Sequence, residues 1–104
     1  MADLTDTEIV AACARAMGFL PDPNFSGGVQ EYRLNGIKFN PLTDRAQAME
    51  LVEKLHLFVG WSPLSNMWSV TPHNASEPEG YDSNLLRAIC LCAARVQIEK
   101  EKNA

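Results

Sequence analysis

The residues best equipped to hold a ligand are a few aromatics, cations and one histidine. Trp61 and Trp68 flank Ser62-Pro63-Leu64-Ser65, a stretch with turn composition, and Tyr32 stands in a second alternating run. Aromatic side chains on strands ordinarily pack against a core or a sheet surface. They also offer the flat faces on which a nucleobase stacks. Arg33, Lys38 and Arg45 fall near those runs and near a helix that should start at Thr43. Taken singly, each is a solvated charge. Together with the free amides of a helix N-terminus they form the best anion site in the chain. His73, beside Asn74 in a loop after a strand, is a further candidate contact. Tyr32, Arg33, Lys38, Thr43, Arg45, Trp61, Trp68 and His73 therefore make up the expected ligand site. The ligand that fits them is a phosphorylated nucleotide, its base on an aromatic ring and its phosphate on the cations.

Catalytic constellations are missing from the sequence. It contains no Gly-Lys-Ser phosphate loop, no Cys-x-x-Cys pair and no His-Glu-x-x-His. Ser26-Gly27-Gly28 is glycine-rich but too short and badly placed for a phosphate loop, and reads as a turn. His56 follows Leu55 at the expected end of the second helix, a position that suits a histidine at the negative end of the dipole. The three cysteines, Cys13, Cys90 and Cys92, are odd in number and apolar in surroundings. Cys90 and Cys92 would point about 200° apart on a helix, too far for a local metal clip. They read as small buried side chains of a reducing compartment. Asn74-Ala75-Ser76 matches a glycosylation acceptor by chance. No metal, no cofactor and no enzymatic activity are expected.

These side chains must be positioned by short elements. Thr5 and Glu8 form a capping box for a helix from about Asp6 to Phe19, with Ile9, Ala12, Cys13, Ala16, Met17 and Leu20 repeating at helical spacing. Pro21 to Gly28 reads as a loop. Gln30–Leu34 and Ile37–Phe39 alternate around Asn35-Gly36, the strongest short hairpin pattern. Thr43 is the expected cap of a helix buried along Ala48, Leu51, Val52 and Leu55. Leu57–Trp61 and Asn66–Thr71 read as two more strands, with Trp68 and Val70 on one face. Residues 72–83 should be a mobile loop, and Ser83 or Asn84 should cap a third helix from about Leu85 to Lys100. That helix is apolar nearly all round, so two of its sides should be covered, the second by another helix or by a subunit interface. Residues 1–4 and 100–104 should fray. The expectation is one α+β domain over 1–104. Its order is α-β-β-α-β-β-α, a small antiparallel sheet with three helices, sandwich-like.

Composition bounds the rest. The chain has 104 residues, 46% of them hydrophobic and 21% charged, which fits one globular domain and excludes a disordered chain or a coiled-coil rod. Its formal charge is −4, a poor match for non-specific nucleic-acid binding. No apolar run approaches the roughly 20 residues of a membrane span. The acidic opening Met1-Ala2-Asp3-Leu4-Thr5-Asp6 has no basic region, so no signal peptide is expected.

Three segments resemble the phage ABA sandwich domain, a family of small phage and prophage proteins. Ile9–Phe19, with its Met17-Gly18-Phe19 step, is similar to the family's opening helix. Asn40–Leu55, with Thr43-Asp44 and Val52-Glu53-Lys54, resembles the central helix, and Ala88–Ala94 resembles the closing Ala-Ile-Cys helix. The segments keep the family's order. Residues 29 to 39 are a hairpin insertion relative to it. The resemblance implies a phage-encoded α+β sandwich working in a bacterial cytoplasm, and it brings no catalytic residues. The reading that follows is a non-enzymatic counter-defence protein that sequesters a host immune nucleotide signal, expected as a homo-oligomer. The alternative is a protein-binding inhibitor or structural adaptor acting on a host protein through an exposed hairpin or the apolar helix.

Overall fold

The structure, a computed structural model, describes residues 4–21, 32–34, 37–75 and 79–103, with backbone alone for 20–21, 32–34 and 37. Helix α1 (Asp6–Met17) starts where the capping box places it. Thr5 Oγ1 accepts from the Glu8 amide at 3.2 Å, and Glu8 Oε1 accepts from the Thr5 amide at 2.9 Å. Those bonds, the backbone one first, hold the Glu8 carboxyl below its usual range. The helix stops short of Phe19, because Gly18 takes φ 82 and returns its N–H to the carbonyls of Ala14 and Arg15. That left-handed conformation is one that glycine adopts without a Cβ penalty.

Leu20–Pro21 is a strand, β1, where the sequence reads as loop. It pairs antiparallel with β2 (Tyr32–Leu34), which pairs with β3 (Ile37–Lys38), in the order β1-β2-β3. Pro21 is tolerated because β1 lies at the sheet edge. The expected Asn35-Gly36 turn and Ser26-Gly27-Gly28 lie outside the described residues, as does Ser76 of the glycosylation pattern.

Helix α2 (Arg45–Leu55) is capped by Asp44 and not by Thr43. The amides of Thr43 and Asp44 both donate to the Asn40 carbonyl, at 3.2 and 3.1 Å. That turn delays the helix by one residue, so Asp44 Oδ1 is the group that meets the Gln47 amide, at 3.1 Å. Strands β4 (Phe58–Ser62), β5 (Met67–Thr71) and β6 (Gly80–Asp82) form a second antiparallel sheet in the order β4-β5-β6. Strand β6 falls inside the stretch expected to be a mobile loop. It is tied down by pairing with β5 from Trp68 to Val70, and the Glu79 amide adds a bond to the Val70 carbonyl at 2.9 Å.

Helix α3 (Leu85–Lys102) is capped by Asn84, one of the two expected residues, and runs beyond Lys100. The helical conformation continues through Lys102. Glu101 takes a two-pronged ion pair from Arg15 of α1, at 2.6 and 3.0 Å. Arg15 first, and Gln97 second, hold the Glu101 carboxyl below its usual range.

Among the described residues the class is thus α+β, three helices with antiparallel sheet, and the additional strands are β1 and β6. The core centres on α3. Ala88, Ile89, Cys90, Cys92, Ala93 and Ala94 are all buried. At about 100° per residue they cover most of the helix circumference. Ala88 and Cys92 face Gly80 of the sheet, while the Cys90 carbonyl, on the opposite side, accepts from Cys13 Sγ of α1 at 3.3 Å. Helix α3 therefore lies between the β4-β5-β6 sheet and the pair α1 and α2. Its all-round apolar surface is satisfied within one chain, which removes the reason for placing a subunit interface on it. Among the described residues, no helix is long and apolar enough to cross a membrane.

Candidate functional site

The expected site residues fall in three places. Arg33 and Lys38 are direct cross-strand partners, and Arg33 also faces Leu20 across β1. Tyr32 pairs with Pro21. Lys38 is joined to the start of α2, because its carbonyl accepts from Gln47 Nε2 at 2.9 Å. Thr43 and Arg45 stand exposed at that same helix start. The strand pairing and the Lys38 carbonyl bond bring the backbone of Arg33 and Lys38 toward the start of α2. The charge of that neighbourhood is different from the one expected. Asp44 puts a carboxylate on the first amides of α2, where a phosphate would sit. Asn40 Oδ1, beside it, is a buried acceptor with no partner among the described residues. Both groups call for a donor and repel an anion.

Trp61 and Trp68 belong to the other sheet. They are directly opposite on β4 and β5, with ring centroids 5.1 Å apart and planes at 64°. This edge-to-face pair is a favourable aromatic contact in its own right. Trp68 packs on the core, and Trp61 is 45% exposed.

His73 occupies the third place, on a groove lined by described residues. An open groove of about 990 Å³ runs between the end of α2, the segment after β5 and the last turns of α3. Leu55, Pro72, Val96 and Ile98 supply apolar wall. Lys54, Arg95, Lys100 and Lys102 supply positive charge, against Glu79 and Glu99. Among the described residues that line it, four are lysine or arginine and two are acidic. A net positive groove in a chain of charge −4 concentrates anions locally even though the molecule as a whole repels them. Arg95 is fixed by donating to the Glu79 carbonyl at 2.5 Å. Lys54, Lys100 and Lys102 make no ion pair with a described residue.

The groove also holds a histidine pair. The rings of His56 and His73 meet edge to face, with centroids 5.7 Å apart and planes at 78°. His73 Nδ1 lies 3.2 Å from the Leu55 carbonyl. A carbonyl can only accept, so Nδ1 carries a proton and donates it. This bond satisfies one of the last carbonyls of α2. His56 ends that helix in the left-handed region, at φ 54. The conformation costs a residue with a Cβ roughly 1 kcal/mol, and glycine is the usual occupant. His56→Gly is therefore expected to raise stability in urea titrations by about 1 kcal/mol, while removing one of the two rings in the groove. A loss of stability would mean that the ring contact outweighs the backbone strain.

Sequence reasoning had His73 but missed Lys54, His56, Arg95, Lys100 and Lys102. Arg95 and Lys102 are seven apart, one face of a helix. That spacing was available, but reading 100–104 as a frayed tail hid it. His56 and His73 are 17 residues apart in sequence, and it is the β4–β5 hairpin that brings them together.

Among the described residues, no group of three histidine, cysteine, aspartate or glutamate side chains is arranged to hold a metal ion. Cys13, Cys90 and Cys92 are free and buried. Burial first, then the Glu79 carboxylate, pushes the Cys92 thiol up to about 12. The hydrogen bond to Cys90, then burial, pushes the Cys13 thiol up as well. Protonated and shielded thiols are inert. Neither a family model, a curated protein nor a solved structure matches this chain.

Proposed function

We propose that this chain is a non-enzymatic binding protein that captures a phosphorylated nucleotide in the groove between α2 and α3. The observation that carries the reading is the concentration of cations, among the described residues, around an apolar wall in an otherwise acidic chain. Arg95 and Lys102, on one face of α3, meet the phosphates together with Lys54, and Lys100 adds to the positive field. Leu55, Pro72, Val96 and Ile98, with the His56 and His73 rings, meet the base and sugar. A volume of about 990 Å³ lies at the upper end of ordinary small-molecule sites and suits a ligand larger than a mononucleotide. The reading keeps His73 from the expected contacts and moves the phosphate away from the start of α2, where Asp44 already sits. Trp61 and Trp68, three strand residues or about 10 Å beyond the start of β4, act as packing residues.

The resemblance to small phage proteins gives the biological setting: capture of a nucleotide signal made by host immunity, in a bacterial cytoplasm. Holding the ligand intact needs no nucleophile. The His73 ring, held by the Leu55 carbonyl, positions the ligand.

Thermal unfolding against cyclic dinucleotides and ADP-ribose derivatives tests the reading. A ligand at 100 times its dissociation constant stabilises by roughly 2.7 kcal/mol. The Lys100→Glu/Lys102→Glu variant, which also loses favourable charge at the C-terminus of α3, should melt slightly lower without ligand and lose most of that stabilisation. Raising the salt concentration should weaken binding in the unaltered chain. If no phosphorylated nucleotide stabilises the chain, or the doubly reversed variant binds as well as the parent, the reading is wrong.

A further inference from the structure

We propose that two copies of this chain pair edge to edge through β4, joining their β4-β5-β6 sheets into one continuous antiparallel sheet. Strand β4 is the last in its sheet, and among the described residues nothing pairs with its outer edge. Natural edges are blunted by charges, prolines or bulges. Phe58-Val59-Gly60-Trp61-Ser62 has no charge and no proline, and its register with β5 is unbroken over all five residues.

The apolar surface follows the same edge. Val59 and Trp61 share a face with Val70 and Trp68, as direct partners must. Helix α3 covers that face over β6 and β5, and the overhang leaves Val59 39% and Trp61 45% exposed. On the other face Phe58 is 65% exposed. A two-fold axis through Gly60 sets Val59 against the partner's Trp61, a favourable aromatic and β-branched pair. Phe58 then lies against the partner's Ser62, and each strand fills the open hydrogen bonds of the other. The exposed parts of the three apolar side chains come to roughly 300 Å² per copy. With the strand backbone added, two copies bury somewhat under about 1,000 Å², the range of weak association. That area fits a concentration-dependent dimer, and it does not involve α3. The axis is isologous, so association closes at two.

Sedimentation velocity over a concentration series, from about 5 to 500 μM, tests the proposal on the full chain. The parent should move from one-chain to two-chain mass. Phe58→Lys, at a highly exposed position, and Val59→Lys should each stay monomeric across the series with an unchanged circular dichroism spectrum. Hydrogen exchange on the parent at the top concentration should show added protection at 58–62. A parent that stays monomeric, assembly beyond two, protection on α3 instead of β4, or a Phe58→Lys chain that dimerises like the parent would each overturn it. A monomeric parent that still captures an extended peptide along β4 would mark the edge as a docking site for another protein and equally refute self-pairing. Nucleotide binding is read separately, so either result can stand without the other.

Discussion

Gly80→Ala should lower the melting temperature by well over 10 °C. Gly80 sits in β6 directly under α3, and an added Cβ would collide with the Ala88 carbonyl oxygen and stand 3.0 Å from Cys92 Cβ and N. These atoms belong to a helix backbone that is packed on its far side by α1 and α2, so it cannot retreat without opening the core. Strand β6 would have to lift off instead, taking its pairing with β5. Overpacking of this kind costs about 1 to 3 kcal/mol and more when backbone must move. For a domain near 100 residues, each kcal/mol lowers the midpoint by roughly 4 to 8 °C. Gly18→Ala is the matched control. Its φ of 82 strains an alanine, but a Cβ there meets nothing within 4 Å. That change should cost only about 1 kcal/mol. A Gly80→Ala chain that melts within a few degrees of the parent would show that β6 does not pack against α3 as described.

Stability should fall steeply as pH rises from about 9 toward 12. The folded chain holds the Cys92 thiol protonated up to about 12, against an ordinary value of 9.0, and Cys13 is raised in the same direction. Between those limits the unfolded chain loses its thiol protons while the folded chain keeps them. The folded state then binds more protons, and the stabilisation, complete below the ordinary thiol value, disappears as pH climbs. Each affected thiol contributes a slope of about 1.4 kcal/mol per pH unit. Urea unfolding at a series of pH values should show this slope. Cys92→Ala should flatten it by about one thiol, which separates the effect from tyrosine and lysine ionisation in the same range. Equal slopes in parent and variant would mean that Cys92 ionises as freely in the folded state as in the unfolded one.

The parts of the fold that were readable in advance are those set by local chemistry. Thr5 and Glu8 announce α1, and the alternation around Ser62–Ser65 announces the β4–β5 hairpin. What escaped depended on partners distant in sequence. Nothing local about Gly80-Tyr81-Asp82 marks a strand; it becomes one because β5 offers an open edge. Pro21 reads as a breaker until β2 lies beside it. Glu101 is an end residue until Arg15, 86 positions away, takes hold of it. The cap of α2 slipped by one residue because the Asn40 carbonyl captured the Thr43 and Asp44 amides. The same distinction separates the two ligand sites. The cations near Thr43 were adjacent in sequence, and Asp44 cancels what they offered. The groove unites residues from α2, the 72–75 segment and α3, and its histidine pair exists only in three dimensions.

The most direct test of nucleotide capture is a titration of the isotope-labelled chain with ADP-ribose and with a cyclic dinucleotide, followed by amide and imidazole resonances. Shifts should concentrate at His56, His73, Arg95, Lys100 and Lys102, with the amides of Thr43 and Arg45 and the indole signals of Trp61 and Trp68 little changed. Shifts centred on Arg45 or on the tryptophans, or no shift with either ligand, would contradict the groove as the site.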